Sequence, residues 1–108
     1  MIKNGMRPIH PGEILREDYL KPLNMSANAL AKALHVTPAR INDIAREIRG
    51  VTPDTALRLA HYFGGDAQSW MALQQTYDLK IAEKSVLKNI LKEIIPIGDS
   101  DEKYALAA

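Results

Sequence analysis

Thr-Pro occurs twice within "VTPARINDIAREIRGVTP", the stretch from Val36 to Pro53, and each copy marks the start of a helix. A threonine oxygen at the N-cap accepts from amides of the first turn. Proline just inside fixes φ and gives up an N–H that had no intrahelical partner. Two helices are therefore pinned at Thr37-Pro38 and Thr52-Pro53, and the chain between them sets their angle. Ile41, Ile44 and Ala45 supply the buried stripe of the first, whereas Arg40, Asn42, Arg46 and Arg49 remain polar. Ala56, Leu57, Ala60 and Phe63 supply that of the second, which Gly64-Gly65 ends.

The same punctuation organises the flanks. Pro11 and Glu13 open a helix over about residues 11–20, with Ile14, Leu15 and Tyr19 on one side, closed ahead of Pro22. Ser26 caps "ANALAKAL", where Leu30, Ala31 and Leu34 turn inward, and His35-Val36 makes the turn into Thr37. Histidine there stands where a left-handed backbone favours glycine. Asp66 caps a fifth helix bearing Trp70, Leu73, Tyr77 and Ile81 at helical spacing. Val86, Leu87, Ile90, Leu91, Ile94 and Ile95 then form an apolar stripe ended by Pro96. No run has strand alternation and no repeat is visible. The pattern predicts an all-α chain with a five-helix domain over 1–82, an additional C-terminal amphipathic helix over 83–96, and a mobile polar tail over 97–108.

Several function classes drop out on composition. The 108 residues suit one domain and include no cysteine, and His10, His35 and His61 lack metal-ligand spacing, so no metal and no cofactor are expected. Glu13, Glu17 and Asp18 lie near His10, but the helix dipole and a solvated face explain them, and no nucleophile or phosphate loop accompanies them. The reading is not an enzyme. No apolar run approaches the ~20 residues of a membrane span, and residues 1–6 lack the core of a signal peptide, which predicts a cytoplasmic protein without membrane contact. The net charge is only +1. It is unevenly spread: residues 1–50 hold eight basic against five acidic residues, and residues 51–108 six against eight. The basic half contains the Thr-Pro stretch, which points toward phosphate.

Two short helices joined by a few residues, the second capped and polar at its start, have the spacing of a helix-turn-helix. With the second helix in a major groove, Thr37, Pro38, Ala39, Asn42, Asp43 and Arg46 are the candidates for base edges. Asn42 would pair bidentately with adenine, Arg46 with guanine, and Ala39 would touch a thymine methyl. Ser26, Lys32, Arg40 and Arg49 are the candidates for phosphate.

The segment "HPGEILREDYLKPLNMSANALAKALHVTPARINDI", followed by "RGVTPDTALRLAHYFGGDAQSWMALQQTYDL", resembles the HigA family of addiction-module antidotes within the Xre-like helix-turn-helix group. The likeness spans about residues 7–84. It implies a lambda-repressor-like fold, a homodimer on double-stranded operator DNA that represses its own operon, a nucleoid-associated location when bound, and a HigB-type, RelE-like ribonuclease toxin that the chain blocks. In this light Trp70 and Tyr77 are expected in the core or at a dimer or partner contact, and the N-terminal segment and first helix, with Arg16, Glu17 and Tyr19, are candidates for the toxin. The apolar stripe with Leu87, Ile90, Leu91 and Ile94 either packs on its own domain or meets a dimer partner or the toxin. One departure bears on geometry. The family usually has glycine near position 47, and Glu47-Ile48 here allows the third helix to run longer and shift Arg46 and Arg49. The final Leu106, Ala107 and Ala108 resemble the ribosome-rescue tag read by ATP-dependent proteases, which would make such a protease a further partner. Two other readings stay open: a stand-alone Xre-like regulator with no toxin, and a toxin adaptor that has lost DNA recognition because Pro38, Ala39 and Asp43 offer bases few donors.

Overall fold

The computed structural model describes residues 7–98, and among them every regular element is helical. Leu106, Ala107 and Ala108, and the tail from residue 99 onward, lie outside the described residues. Helix α1 starts behind His10, whose Nδ1 accepts from the Gly12 N–H at 2.8 Å, with Pro11 in the first position. It is α-helical over Pro11–Ile14 and continues as a π-helical segment over Leu15–Leu20, in which the Lys21 N–H reaches back to the Arg16 carbonyl at 3.0 Å. The wider turn has a packing purpose. Residues five apart fall on different faces of an α-helix, yet Leu15 and Leu20 are both buried here.

Each remaining helix opens on the cap its sequence supplies. Helix α2, Ala27–Leu34, begins behind Ser26, whose Oγ accepts from the Ala29 N–H at 3.0 Å. Helix α3, Pro38–Ala45, begins behind Thr37, which accepts from Arg40 N–H at 3.2 Å. Helix α4, Pro53–Phe63, begins behind Thr52, and Asp66 caps α5, Ala67–Glu93, by accepting from Ser69 N–H at 2.7 Å. No glycine or proline interrupts Ala67–Glu93, so the amphipathic stretch expected as a separate helix over 83–96 is the end of α5, and it stops at Glu93. Tertiary contacts divide the chain after Asp78, into 1–78 and 79–108, rather than after residue 82.

Three helix ends close without glycine. Asn24, His35 and Glu47 take left-handed φ values of 53°, 59° and 65°. Around each, the next amide returns to a carbonyl one turn back: Met25 to Leu20 at 2.9 Å, Val36 to Ala31 at 3.0 Å, and Ile48 to Asp43 at 3.0 Å. Glu47 therefore does what glycine does elsewhere, and α3 ends at Ala45 instead of running on as expected. A left-handed non-glycine residue costs about 1–2 kcal/mol, which other contacts must offset. At Glu47 they come from Arg16, whose Nη1 donates to the Ala45 carbonyl and whose Nη2 lies 3.2 Å from the Glu47 carboxylate. One α1 side chain thus closes the end of α3.

The core of the first unit gathers most of the expected apolar stripes, but on α4 Leu57 is 63% exposed and Leu59, two residues on, is buried in its stead beside the expected Ala56. Leu15, Leu30, Ile41, Ile44 and Leu59 are fully buried, each contributing roughly 1.5–3 kcal/mol. Gln74 is the buried polar tie: its Oε1 accepts from the Val51 N–H at 2.7 Å, and its Nε2 donates to Asp78 at 2.9 Å. His10 is also buried, with its ring edge-on to Tyr77 at 4.8 Å. Burial lowers its pKa from the ordinary 6.5, against the pull of Glu47 and Asp78. Because the cap needs an unprotonated Nδ1, this group stabilises the fold above about pH 6.5 and that stability is lost as pH falls through the lowered folded value. Urea unfolding across pH 7.5 to 5 is expected to show this decline. His10→Asn, which keeps an acceptor at the cap without titrating, is expected to flatten it, and parallel curves for the two proteins would contradict the account.

Candidate nucleic-acid interface

Helices α2 and α3 join through His35, in the left-handed conformation, and Val36, and α3 buries Ile41, Ile44 and Ala45 while its N-terminal end is exposed. Thr37, Pro38 and Ala39 are exposed at that end, with Arg46 exposed beyond the helix and Asn42 and Asp43 half-buried between them. Ser26, Lys32 and Arg49 are exposed, and Arg40 is half-buried. These residues are not independent. Asp43 receives both flanking arginines, Arg46 at 3.5 Å and Arg49 at 3.4 Å. Asn42 is hydrogen-bonded to Asn28 of α2 at 2.7 Å.

Arg40 belongs to a second group. Its Nη1 sits 2.6 Å from Asp54 Oδ2 and 3.3 Å from Thr55 Oγ1, so it ties α3 to the start of α4. Asp54 also accepts from Arg58 at 2.9 Å, and Arg58 donates on to the Leu34 carbonyl at 2.8 Å. Hydrogen bonds from Arg58 and then Arg40 hold the Asp54 carboxyl below its usual pKa. Thr55 is buried, but the charged groups of Arg40, Asp54 and Arg58 are partly or largely exposed, so the ion pairs are weak.

The expected partner contacts divide. Trp70 is 5% exposed and belongs to the core, with its ring 5.4 Å from Tyr19, which in turn lies 4.6 Å from Phe63. It has no surface to offer a dimer or a toxin, because its bulk fills the space between α1, α4 and the start of α5. Tyr77 is half-buried against His10. Arg16 and Tyr19 are likewise spent within the domain. Leu87, Ile90, Leu91 and Ile94 are exposed, as are Leu79, Ile81, Val86, Ile95 and Ile97 in the same unit. Asn28, Asp54, Arg58 and Gln74 were not singled out by sequence. The Asp54–Arg58 spacing of four residues was the one signal available for them.

The helix-turn-helix family profile matches residues 17–70, which hold all of α2, the turn, α3 and α4. In structure, the chain superimposes on the Pseudomonas aeruginosa antitoxin HigA with higBA promoter at a TM-score of 0.82 and 50% identity, covering 83% of this chain and 98% of that one. The chain belongs to the HigA family. A second HigA-family member, an addiction module antidote protein from Coxiella burnetii, aligns at a TM-score of 0.80 and 49% identity over 84% and 99% of the two chains. In sequence, virulence-associated protein I of Dichelobacter nodosus is 65% identical over 96 residues, 89% of this chain and 87% of that one. The HigA family is a class of helix-turn-helix antitoxins and regulators rather than of enzymes. Among the described residues no helix is long and apolar enough to cross a membrane, and no cluster of His, Cys, Asp or Glu could hold a metal ion.

Proposed function

We propose that this HigA-family chain is an antitoxin and repressor that docks the start of α3 into the major groove of its own operator as a homodimer and blocks a RelE-like ribonuclease toxin. The observation that carries the reading is the exposed, capped N-terminal end of α3 flanked by Ser26, Lys32, Arg46 and Arg49, on a fold half identical in sequence to an antitoxin seen with promoter DNA. Thr37, Pro38, Ala39, Asn42, Asp43 and Arg46 then face bases, while Ser26, Lys32, Arg40 and Arg49 meet phosphates. Asp43 keeps Arg46 and Arg49 together until a guanine edge or a phosphate replaces it. The exposed stripe around Leu87, Ile90, Leu91 and Ile94 is too apolar to face water alone and supports the dimer. A two-fold axis would set two copies of α3 ~34 Å apart on one face of the duplex.

Fluorescence anisotropy against a duplex taken from upstream of the gene, and against a scrambled duplex, tests this across salt. The upstream duplex is expected to bind more tightly. Arg40→Ala is expected to weaken both equally and to lower the log–log salt slope by about one, as one lost phosphate contact requires. Equal binding of the two duplexes by the intact chain would remove the repressor reading. Addition of the product of the adjacent gene separates the toxin-linked function, in which its RNA cleavage stops, from a stand-alone regulator, in which no such product exists.

A further inference from the structure

Asn42 Nδ2 lies 2.9 Å from the Pro38 carbonyl and 2.7 Å from Asn28 Oδ1. A carbonyl oxygen can only accept, so the Pro38 contact decides which end of the Asn42 amide is the NH2. The second proton of that NH2 then requires the oxygen of Asn28 opposite it. A single backbone carbonyl fixes the direction of both bonds. Both donors of Asn42 are thereby used inside the protein, and its one remaining polar atom is Oδ1, an acceptor.

We infer that Asn28, on α2, is a positioning residue that holds Asn42, on α3, as an acceptor, so that the pair selects an exocyclic amine in the major groove, N6 of adenine or N4 of cytosine. The inference rests on the DNA-binding reading above and sharpens it. A free asparagine reads adenine with two bonds, accepting from N6 and donating to N7. Held as it is here, Asn42 has nothing to donate to N7. The site then distinguishes bases by the presence of an amine and is indifferent to the ring nitrogen beside it. Asn28 is exposed and lies outside the core, so its replacement leaves the fold in place.

The test uses the intact chain and the duplex from upstream of its gene, with single-atom base analogues placed at each position in turn. Removal of the amine at the position read, by purine for adenine or pyrimidin-2-one for cytosine, is expected to weaken binding about three- to tenfold, the worth of one hydrogen bond. Whichever analogue gives the loss identifies the base. If it is adenine, 7-deazaadenine at the same place is expected to bind within twofold of normal. A loss with 7-deazaadenine as large as that with purine overturns the inference, because Asn42 would then be donating to N7. Asn28→Ala frees the amide and is expected to make binding sensitive to 7-deazaadenine or to erase the preference at that base pair. Asn28→Asp keeps an acceptor toward Asn42 Nδ2, so it is expected to lower affinity for all DNA while retaining the preference, a split that a merely structural role would not produce. Unchanged preference in Asn28→Ala, with operator binding intact, overturns the inference alone. Failure of the intact chain to prefer its operator removes the DNA reading and the inference together.

Discussion

Trp70→Ala is expected to lower the unfolding free energy by about 3–5 kcal/mol, the range for deleting a large buried aromatic side chain. Trp70 is 5% exposed, belongs to the hydrophobic core, and stands at one end of an aromatic row that continues through Tyr19 to Phe63. Alanine leaves a cavity beside the Tyr19 ring, and the bond from the Val51 N–H to Gln74 Oε1 holds α5 in place, so little of it can collapse. For a domain of this size each kcal/mol shifts the melting temperature by roughly 4–8 °C, and the total stability to draw on is only about 5–15 kcal/mol. Circular dichroism melting at two protein concentrations checks the result. A core role predicts a large fall at both concentrations. A dimer contact would instead give a loss that grows on dilution while the dissociated chain melts as before, and a fall under about 1 kcal/mol would reinstate it.

That outcome bears on what could be read from the chain. The caps at Ser26, Thr37, Thr52 and Asp66 were legible because each depends on residues within one turn of the helix it starts. His35 was legible as a left-handed turn for the same reason. Trp70 and Ile81 follow the same helical period in the sequence, yet one is buried and the other exposed, and periodicity alone does not say where a long helix leaves its core. Glu47 was misread because glycine's absence suggested a longer helix, whereas Arg16, distant in sequence, supplies the carboxylate and carbonyl contacts that hold the left-handed turn. The π-helical segment was invisible to a reading that assumed 3.6 residues per turn, although the five-residue spacing of Leu15 and Leu20 was its trace. At the candidate interface the residue types were legible but their partners were not. Arg40 with Asp54, and Asn42 with Asn28, are each fourteen residues apart, and only the angle between helices brings them together.

Gly12→Ala is expected to cost about 3 kcal/mol or more and to abolish operator binding as well, although Gly12 touches none of the candidate DNA contacts. Gly12 sits where α1 crosses α3 with no room for a side chain: an added Cβ would overlap the Ile44 carbonyl oxygen, lie 2.9 Å from its carbon, and lie 3.0 Å from His10 Nδ1. Backbone cannot rotate away as a side chain can, and Ile44 is itself fully buried. The only relief is for α1 to back off. Withdrawal would pull Arg16 from the Ala45 carbonyl and the Glu47 carboxylate and leave the strained end of α3 without its support. Stability and recognition are thus joined at one atom position, because the contact that lets α1 approach also fixes where α3 ends and where Arg46 and Arg49 begin. Gly98→Ala, at a position with open space around it, is the control and is expected to change nothing. Melting and anisotropy on the two variants decide the matter: a Gly12→Ala protein that melts within a few degrees of the parent and binds the operator normally would show that the crossing of α1 on α3 does not set the recognition helix.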